Sequence, residues 1–125
     1  MARILVIDDE DFVRFTIDRI LRAAGHAVAL AEDGAVGCRL QREAPFDAVI
    51  CDILMPNQEG IETIRRLRAD YPALPIVAMS GGGRSGTQDF LAMALHLGAS
   101  GTIAKPFLPD ELLTAVAGAV RGRPG

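Results

Sequence analysis

The residues of this sequence whose types and positions invite chemistry are Asp8, Asp9, Glu10, Asp52, Ser80 and Lys105. Each follows an apolar run. Asp8, Asp9 and Glu10 follow Arg3 to Ile7, Asp52 follows Asp47 to Cys51, Ser80 and Gly81 follow Pro75 to Met79, and Lys105 and Pro106 follow Gly101 to Ala104. If these runs are parallel strands of one sheet, the carboxylates, the hydroxyl and the amine share the edge where such sheets bind ligands. Crowded carboxylates hold their protons more tightly unless a cation relieves them. An all-oxygen set with room for water and phosphate oxygens suits Mg²⁺ or Mn²⁺, whereas zinc prefers His and Cys, and neither lies near this edge. Beside such an ion Asp52 is placed to act as a nucleophile toward a phosphoryl group, giving an aspartyl phosphate. Lys105 supplies a positive charge and Ser80 a hydroxyl donor for the phosphate oxygens. Gly81 leaves room for an incoming donor.

Taken singly, each residue has a plainer explanation. Asp8 and Asp9 are good caps for a following helix. Asp52 could open a turn before Met55 and Pro56, and Lys105 could be a solvated side chain. Their convergence on one edge is what argues for a shared site. Other features carry less. The run from Gly81 to Gly86 lacks the Gly-Lys-Ser/Thr that closes a nucleotide phosphate loop, so it reads as a mobile loop. His26 and His96 have no second ligand at a metal-binding spacing and read as structural or surface residues. Phe15 falls off the apolar stripe of its helix, which suits partial packing or a docking contact for a phosphodonor protein. Phe90, Leu91, Met93, Ala94 and Leu97 give the fourth helical stretch a wide apolar face. Core packing explains most of it, with Met93 or Leu97 left for a partner.

The elements that must position these residues follow from periodicity. A fifth apolar run, Ala27 to Ala31, joins the other four, and most lack polar alternation, as strands buried on both faces do. Helical spacing lies between them. Phe12, Val13, Thr16, Ile17, Ile20, Leu21 and Ala24 make one stripe, with Arg14, Asp18 and Arg22 on the opposite face and Gly25 as a stop. Further helices are expected over 34–43, 59–70, 87–97 and 109–120. Five strand and helix alternations imply right-handed crossovers and a doubly wound α/β sandwich. With 125 residues, half of them apolar, one domain is expected over 1–121, with a flexible tail over 122–125. That Gly, Arg and Pro tail is also compatible with a linker cut short, whereas the Met1 start looks natural. Cys38 and Cys51 make neither a disulfide framework nor a metal motif and read as buried free thiols. A net charge of -3 and a pI near 5.3 argue against direct binding of nucleic acid or an anionic membrane. With no apolar run near the length of a membrane span and no signal peptide, a cytoplasmic protein is expected.

Together these residues resemble the receiver domain of two-component response regulators, from Arg3 to Val120. Ile-Asp-Asp-Glu at 7–10 matches the family's acidic pair, and Cys-Asp-Ile-Leu-Met-Pro at 51–56, followed by Gly60, matches its phosphoacceptor segment. Met-Ser-Gly at 79–81 and Lys-Pro-Phe at 105–107 match the remaining motifs. The resemblance implies a flavodoxin-like fold with strand order 2-1-3-4-5, for which the chemotaxis member of this family is a standard example. It implies Asp52 as phosphoacceptor, Asp9 as a direct Mg²⁺ ligand, Asp8 as a mostly water-mediated one, and the Leu54 backbone carbonyl as a further ligand. Ser80 and Lys105 would bind the phosphate. The partners implied are a histidine kinase or histidine phosphotransfer protein and a downstream protein target. One departure stands out: where the family often carries Tyr or Phe, three residues before Lys105, this chain has Thr102. An aromatic flip is therefore excluded at that position, and the switch is expected to run through Ser80 and the loop and helix after it.

The reading is a signalling module, not an enzyme beyond accepting and losing its own phosphoryl group. Two rivals differ from it in class. An aspartate-nucleophile phosphohydrolase needs a second carboxylate two residues after the nucleophile, and that place is Leu54. An inert interaction module would have no use for the complete acidic set.

Overall fold

The computed structural model describes residues 1–55, 59–81 and 87–122, with the backbone alone at 87–91. Five parallel strands form one sheet: β1 (Arg3–Ile7), β2 (Ala27–Ala31), β3 (Ala48–Asp52), β4 (Ile76–Gly81) and β5 (Gly101–Lys105), in the order β2-β1-β3-β4-β5. Helices α1 (Asp11–Ala23), α2 (Gly34–Glu43), α3 (Glu59–Asp70), α4 (Thr87–His96) and α5 (Pro109–Arg121) fill the connections. The order reverses between β1 and β3, and this is where a doubly wound sheet opens a crevice at its carboxyl edge. Pairing runs Ile7 with Cys51 and Cys51 with Ala78, so Asp8, Asp52 and Met79 reach the rim at nearly one level.

The strands divide the apolar interior in two. Leu5, Ile7, Val49, Cys51, Ile76 and Ala78 face Ile64, Leu67 and Ala94 on α3 and α4. Ile4, Val6, Ile50, Val77, Met79 and Ile103 face Ile17, Leu21, Leu112 and Val116 on α1 and α5. Burial on both faces holds for the central strands, while β2 and β5, at the sheet's edges, are mostly half-buried. At the opposite end from the rim, Arg68 on α3 donates to the carbonyls of Gly98, Tyr71 and Pro72 at 2.9, 3.2 and 2.8 Å. Gly98 holds φ +114°, and a Cβ there would lie 2.7 Å from Arg68 Cγ, so this turn after α4 accepts no side chain without displacing the clamp.

Several local expectations change. β3 begins at Ala48 and β4 at Ile76, each one residue later than the apolar run, while Asp52, Ser80 with Gly81, and Lys105 end their strands as expected and Asp8, Asp9 and Glu10 follow β1. In α1 the buried face is Arg14, Ile17 and Leu21; Phe12, placed on the apolar stripe, is 82% exposed, and Arg14, placed opposite, is 8% exposed. Gly25 does end the helical stretch, with φ +95°. Cys51 is a buried free thiol, but Cys38 is only half-buried. His26 is structural, its Nδ1 accepting from the Ala2 amide at 3.0 Å. His96 is exposed, Met93 is half-buried on α4, and Leu97, just past the end of α4, is half-buried against the α3 side of the core. The Lys105–Pro106 bond is cis. Pro56, the loop over 82–86, the side chains of Phe90 and Leu91, and the tail beyond Gly122 lie outside the described residues.

Candidate functional site

The rim gathers the sequence-derived residues into one cluster. One carboxylate oxygen from each of Asp8, Asp9, Glu10 and Asp52 lies within 4.8 Å of the others. Lys105 Nζ reaches in from the end of β5, 3.0 Å from Asp8 Oδ2, 3.2 Å from Asp52 Oδ2 and 3.7 Å from Glu10 Oε1. The other oxygens are held by backbone. The Leu54 amide donates to Asp52 Oδ1 at 3.0 Å and the Glu10 amide to Asp8 Oδ1 at 2.8 Å. Neither Asp8 nor Asp9 is the N-cap of α1; that position is Glu10, which has no side-chain cap bond. The capping explanation for the acidic pair therefore fails.

Asp52 is only 2% exposed, with both oxygens engaged. Its Oδ2 partner is an ammonium on a flexible four-carbon stem, so access to that oxygen depends on where Lys105 points. Ser80 Oγ is fully buried and has no hydrogen-bond partner among the described residues. A buried hydroxyl without an acceptor is rare enough in native interiors to point to a missing group. Gly81 continues β4 beside it, and among the described residues a Cβ there would come near Leu54 Cδ1 alone, at 3.8 Å. Thr102 is half-buried in β5 and lines an open groove with Ala104, Pro106, Glu111 and Ala115, with no aromatic ring to turn.

Electrostatics set the condition of the cluster. Burial, opposed by the Glu10 amide and reinforced by the Asp52 charge, pushes the Asp8 carboxyl above its ordinary value of 3.8. Burial alone would lower the Lys105 ammonium, but Asp52 and Asp8 together outweigh it and hold Lys105 above the ordinary lysine value. Among the described residues the four carboxylates of the cluster outnumber the single ammonium that reaches into it, Lys105. Six oxygens around Mg²⁺ at about 2.1 Å stand roughly 3 to 4.2 Å from one another, so this oxygen set needs only a small contraction to suit such an ion. The donor set and the orphaned Ser80 hydroxyl thus fit a hard divalent cation with an oxyanion beside it.

The raised Asp8 value carries a pH signature in cation-free protein. A carboxyl raised on folding contributes stability that is fully present below 3.8 and lost as pH rises through its folded value. Asp8→Asn, which stays neutral, is therefore expected to be more stable than wild type at pH 7 in EDTA. The gap should close as pH falls toward 3.8. Urea midpoints across that window measure it, and a wild type more stable than the variant at neutral pH contradicts it.

Two further residues stand at the site: Glu10, placed at the rim by the sequence without a specific role, and Arg14, which the sequence placed on the outer face of its helix. Glu10 sits one step past the acidic pair, and its signal was that a turn of three acids can turn all three inward. Arg14 sits behind the pair, its Nη1 donating to the Asp8 carbonyl at 2.7 Å and its Nη2 paired with Asp11. Phe15 is half-exposed with the Arg14 guanidinium over its ring, whereas the more exposed Phe12 lines a groove with Val13, Thr16, Lys105, Pro106 and Phe107.

Comparison with known proteins agrees with this geometry. Residues 4–117 match the response regulator receiver domain model, and the chain belongs to that family. It is 36% identical over 120 residues to the response regulator MprA of Mycobacterium sp. (strain KMS), covering 96% of this chain and 51% of that protein. It is 37% identical over 121 residues to the transcriptional regulatory protein PrrA of Mycobacterium tuberculosis, covering 97% and 51%. The chain thus spans about half the length of these curated relatives. Among solved structures, a putative response regulator from Chloroflexus aurantiacus superposes with a TM-score of 0.88 at 30% identity, covering 96% of this chain and 98% of that one. Receiver domains bind Mg²⁺ through an acidic pocket, are phosphorylated by histidine kinases and act on downstream targets. No helix among the described residues is long and apolar enough to cross a membrane.

Proposed function

We propose that residues 1–121 form a phosphorylation switch in which Asp52 accepts a phosphoryl group from a histidine kinase or histidine phosphotransfer protein. The observation that carries this reading is the placement of Lys105 Nζ between Asp8 and Asp52, with a buried Ser80 hydroxyl that has no partner among the described residues at the end of the adjoining strand. Asp9, Asp8, Asp52 and the Leu54 carbonyl would hold Mg²⁺ or Mn²⁺, with Glu10 at the edge of the same set. When bound, the ion neutralises charge on the transferring phosphoryl group.

The rest is done by the chain. Asp52 Oδ2 leaves Lys105 and attacks phosphorus, and the bond from phosphorus to the donor's imidazole nitrogen breaks as the new bond to oxygen forms. Lys105 then pairs with a phosphate oxygen in place of the carboxylate, and Ser80 Oγ donates to another. The energy of that exchange differs between the two states, and only this difference can shift partner affinity. The downstream partner is a protein, reached in the cytoplasm without direct contact to nucleic acid or membrane. The chain is not an enzyme beyond accepting and shedding its own phosphoryl group, since Leu54 stands where a hydrolase would need a second carboxylate.

Incubation with acetyl phosphate and Mg²⁺, followed by intact mass and phosphate release, tests this reading. One acid-stable, base-labile phosphoryl adduct per chain is expected. Continuous phosphate release without an adduct would favour a hydrolase, and no adduct would leave an inert module. A kinase must also reach the rim across an apolar ledge, and Phe12, 82% exposed beside Lys105 and Phe107, is placed to meet it. Phe12→Ala is expected to slow transfer from the cognate kinase by about tenfold, as loss of an aromatic anchor does, and to leave labelling by acetyl phosphate unchanged. Equal slowing with both donors would remove Phe12 from the docking surface.

A further inference from the structure

Arg14 is the one Lys or Arg among the described residues that is buried, and a buried guanidinium is costly unless it is paired. Its pairing is specific. Nη1 donates to the Asp8 backbone carbonyl at 2.7 Å inside the protein, and Nη2 pairs with Asp11 one turn earlier on α1. The Asp8 amide is already bonded to the Ala31 carbonyl of β2 at 3.1 Å. The residue is therefore fixed from both sides, by the sheet through its N–H and by Arg14 through its C=O. That C=O belongs to the Asp8–Asp9 peptide, whose orientation decides where both carboxylates point.

We infer that Arg14 is a positioning residue for the divalent-cation site, holding the Asp8–Asp9 peptide so that the acids at 8, 9 and 10 converge on Asp52. This rests on the cation reading of the cluster given above. It also makes a prediction whose sign separates geometry from charge. As a bare positive charge near an acidic cluster, Arg14 would weaken cation binding, and its removal would tighten it. As a support for the ligands, its removal weakens binding, and losing such an outer partner typically costs about 10- to 100-fold in metal affinity. Its pairing with Asp11 screens the charge and leaves the geometric role dominant.

The test is calorimetric titration of the full chain with MnCl₂, comparing wild type, Arg14→Met, Arg14→Lys and Arg68→Met. Arg68→Met removes a half-buried arginine from the far end of the sheet and serves as a control for general loss of stability. Arg14→Met is expected to bind Mn²⁺ at least about tenfold more weakly. Arg14→Lys, which keeps the charge and loses the planar fork, should bind severalfold more weakly. Arg68→Met should bind like wild type despite a lower melting temperature. Wild-type or tighter affinity in Arg14→Met, wild-type affinity in Arg14→Lys, or an equal loss in Arg68→Met overturns the assignment. If circular dichroism shows Arg14→Met unfolded, Arg14→Lys decides alone by the same criterion. A wild-type chain that binds no Mn²⁺ overturns the cation reading itself, which none of the Arg14 results would do.

Discussion

Asp52→Asn protein incubated with acetyl phosphate and Mg²⁺ is expected to carry no phosphoryl adduct while keeping its fold. Asparagine has the shape of aspartate, and its carbonyl oxygen still accepts the Leu54 amide that Asp52 Oδ1 accepts at 3.0 Å. The amide nitrogen then falls where Oδ2 faced Lys105, and it is neither nucleophilic nor anionic. Lys105 retains Asp8, 3.0 Å away, so the ammonium is not left unpaired in a buried place. Removing the Asp52 charge also removes one of the influences that push Asp8 upward, which offsets part of the attraction to Lys105 that is lost. The expected loss of labelling rate is on the order of 10⁴-fold or more, the scale on which removing a nucleophile acts. Intact mass spectrometry reads it. An adduct retained at wild-type rate would place the acceptor on another residue and end the account given for Asp52.

Gly60→Ala is expected to lower stability by about 3 kcal/mol, the upper end of the range for overpacking a tight interior. Helix propensity alone predicts the reverse, since alanine is favoured over glycine in a helix by about 1 kcal/mol. Geometry decides the sign. A Cβ at position 60 would lie 2.1 Å from the Asp52 carbonyl oxygen and 2.6 Å from Ile53 Cα. Both are backbone atoms of the strand end that carries Asp52, so no side chain can swing aside to make room. Either α3 backs away or the Asp52–Ile53 peptide shifts, and the second outcome also slows labelling. The melting temperature should fall by about 10 °C. Gly81→Ala is the contrast, because among the described residues its new methyl would make one ordinary contact, 3.8 Å from Leu54 Cδ1. A melting temperature in Gly60→Ala equal to wild type would show that the strand end yields at little cost.

How far the sequence could be read depended on whether a residue's neighbours lay along the chain or across it. The alternation of apolar runs with helical spacing leads to the doubly wound α/β sandwich, because parallel pairing and right-handed crossovers leave few alternatives, whereas the strand order itself followed from the resemblance to receiver domains. Asp8, Asp52, Ser80 and Lys105 were legible for the same reason, since strand ends in such a sheet meet at one edge. Arg14 and Phe12 were not. Polarity patterning puts a phenylalanine inside and an arginine outside, but Arg14 gains the Asp8 carbonyl and Asp11, partners that no periodicity reveals. Phe12 lies in the first turn of α1, at the rim beside Lys105 and Phe107 instead of over the strands. The near-complete burial of Asp52 was also invisible, because it depends on how the end of the central strand β3 is covered by neighbours that are distant along the chain, Lys105 among them.

Strand side chains alternate between faces, and that alternation continues to the rim. Asp8, Asp52 and Lys105 extend the rows of Val6, Ile50 and Ile103, on the α1 and α5 side of the sheet. Ser80 extends the row of Ala78, on the α3 and α4 side. A tetrahedral anion gripped by Lys105 and Ser80 together would therefore straddle the sheet like a staple over a page edge. The two halves of the interior, which share no residue among the described ones, would both reach that anion, and news of the bond would pass around the sheet instead of through it.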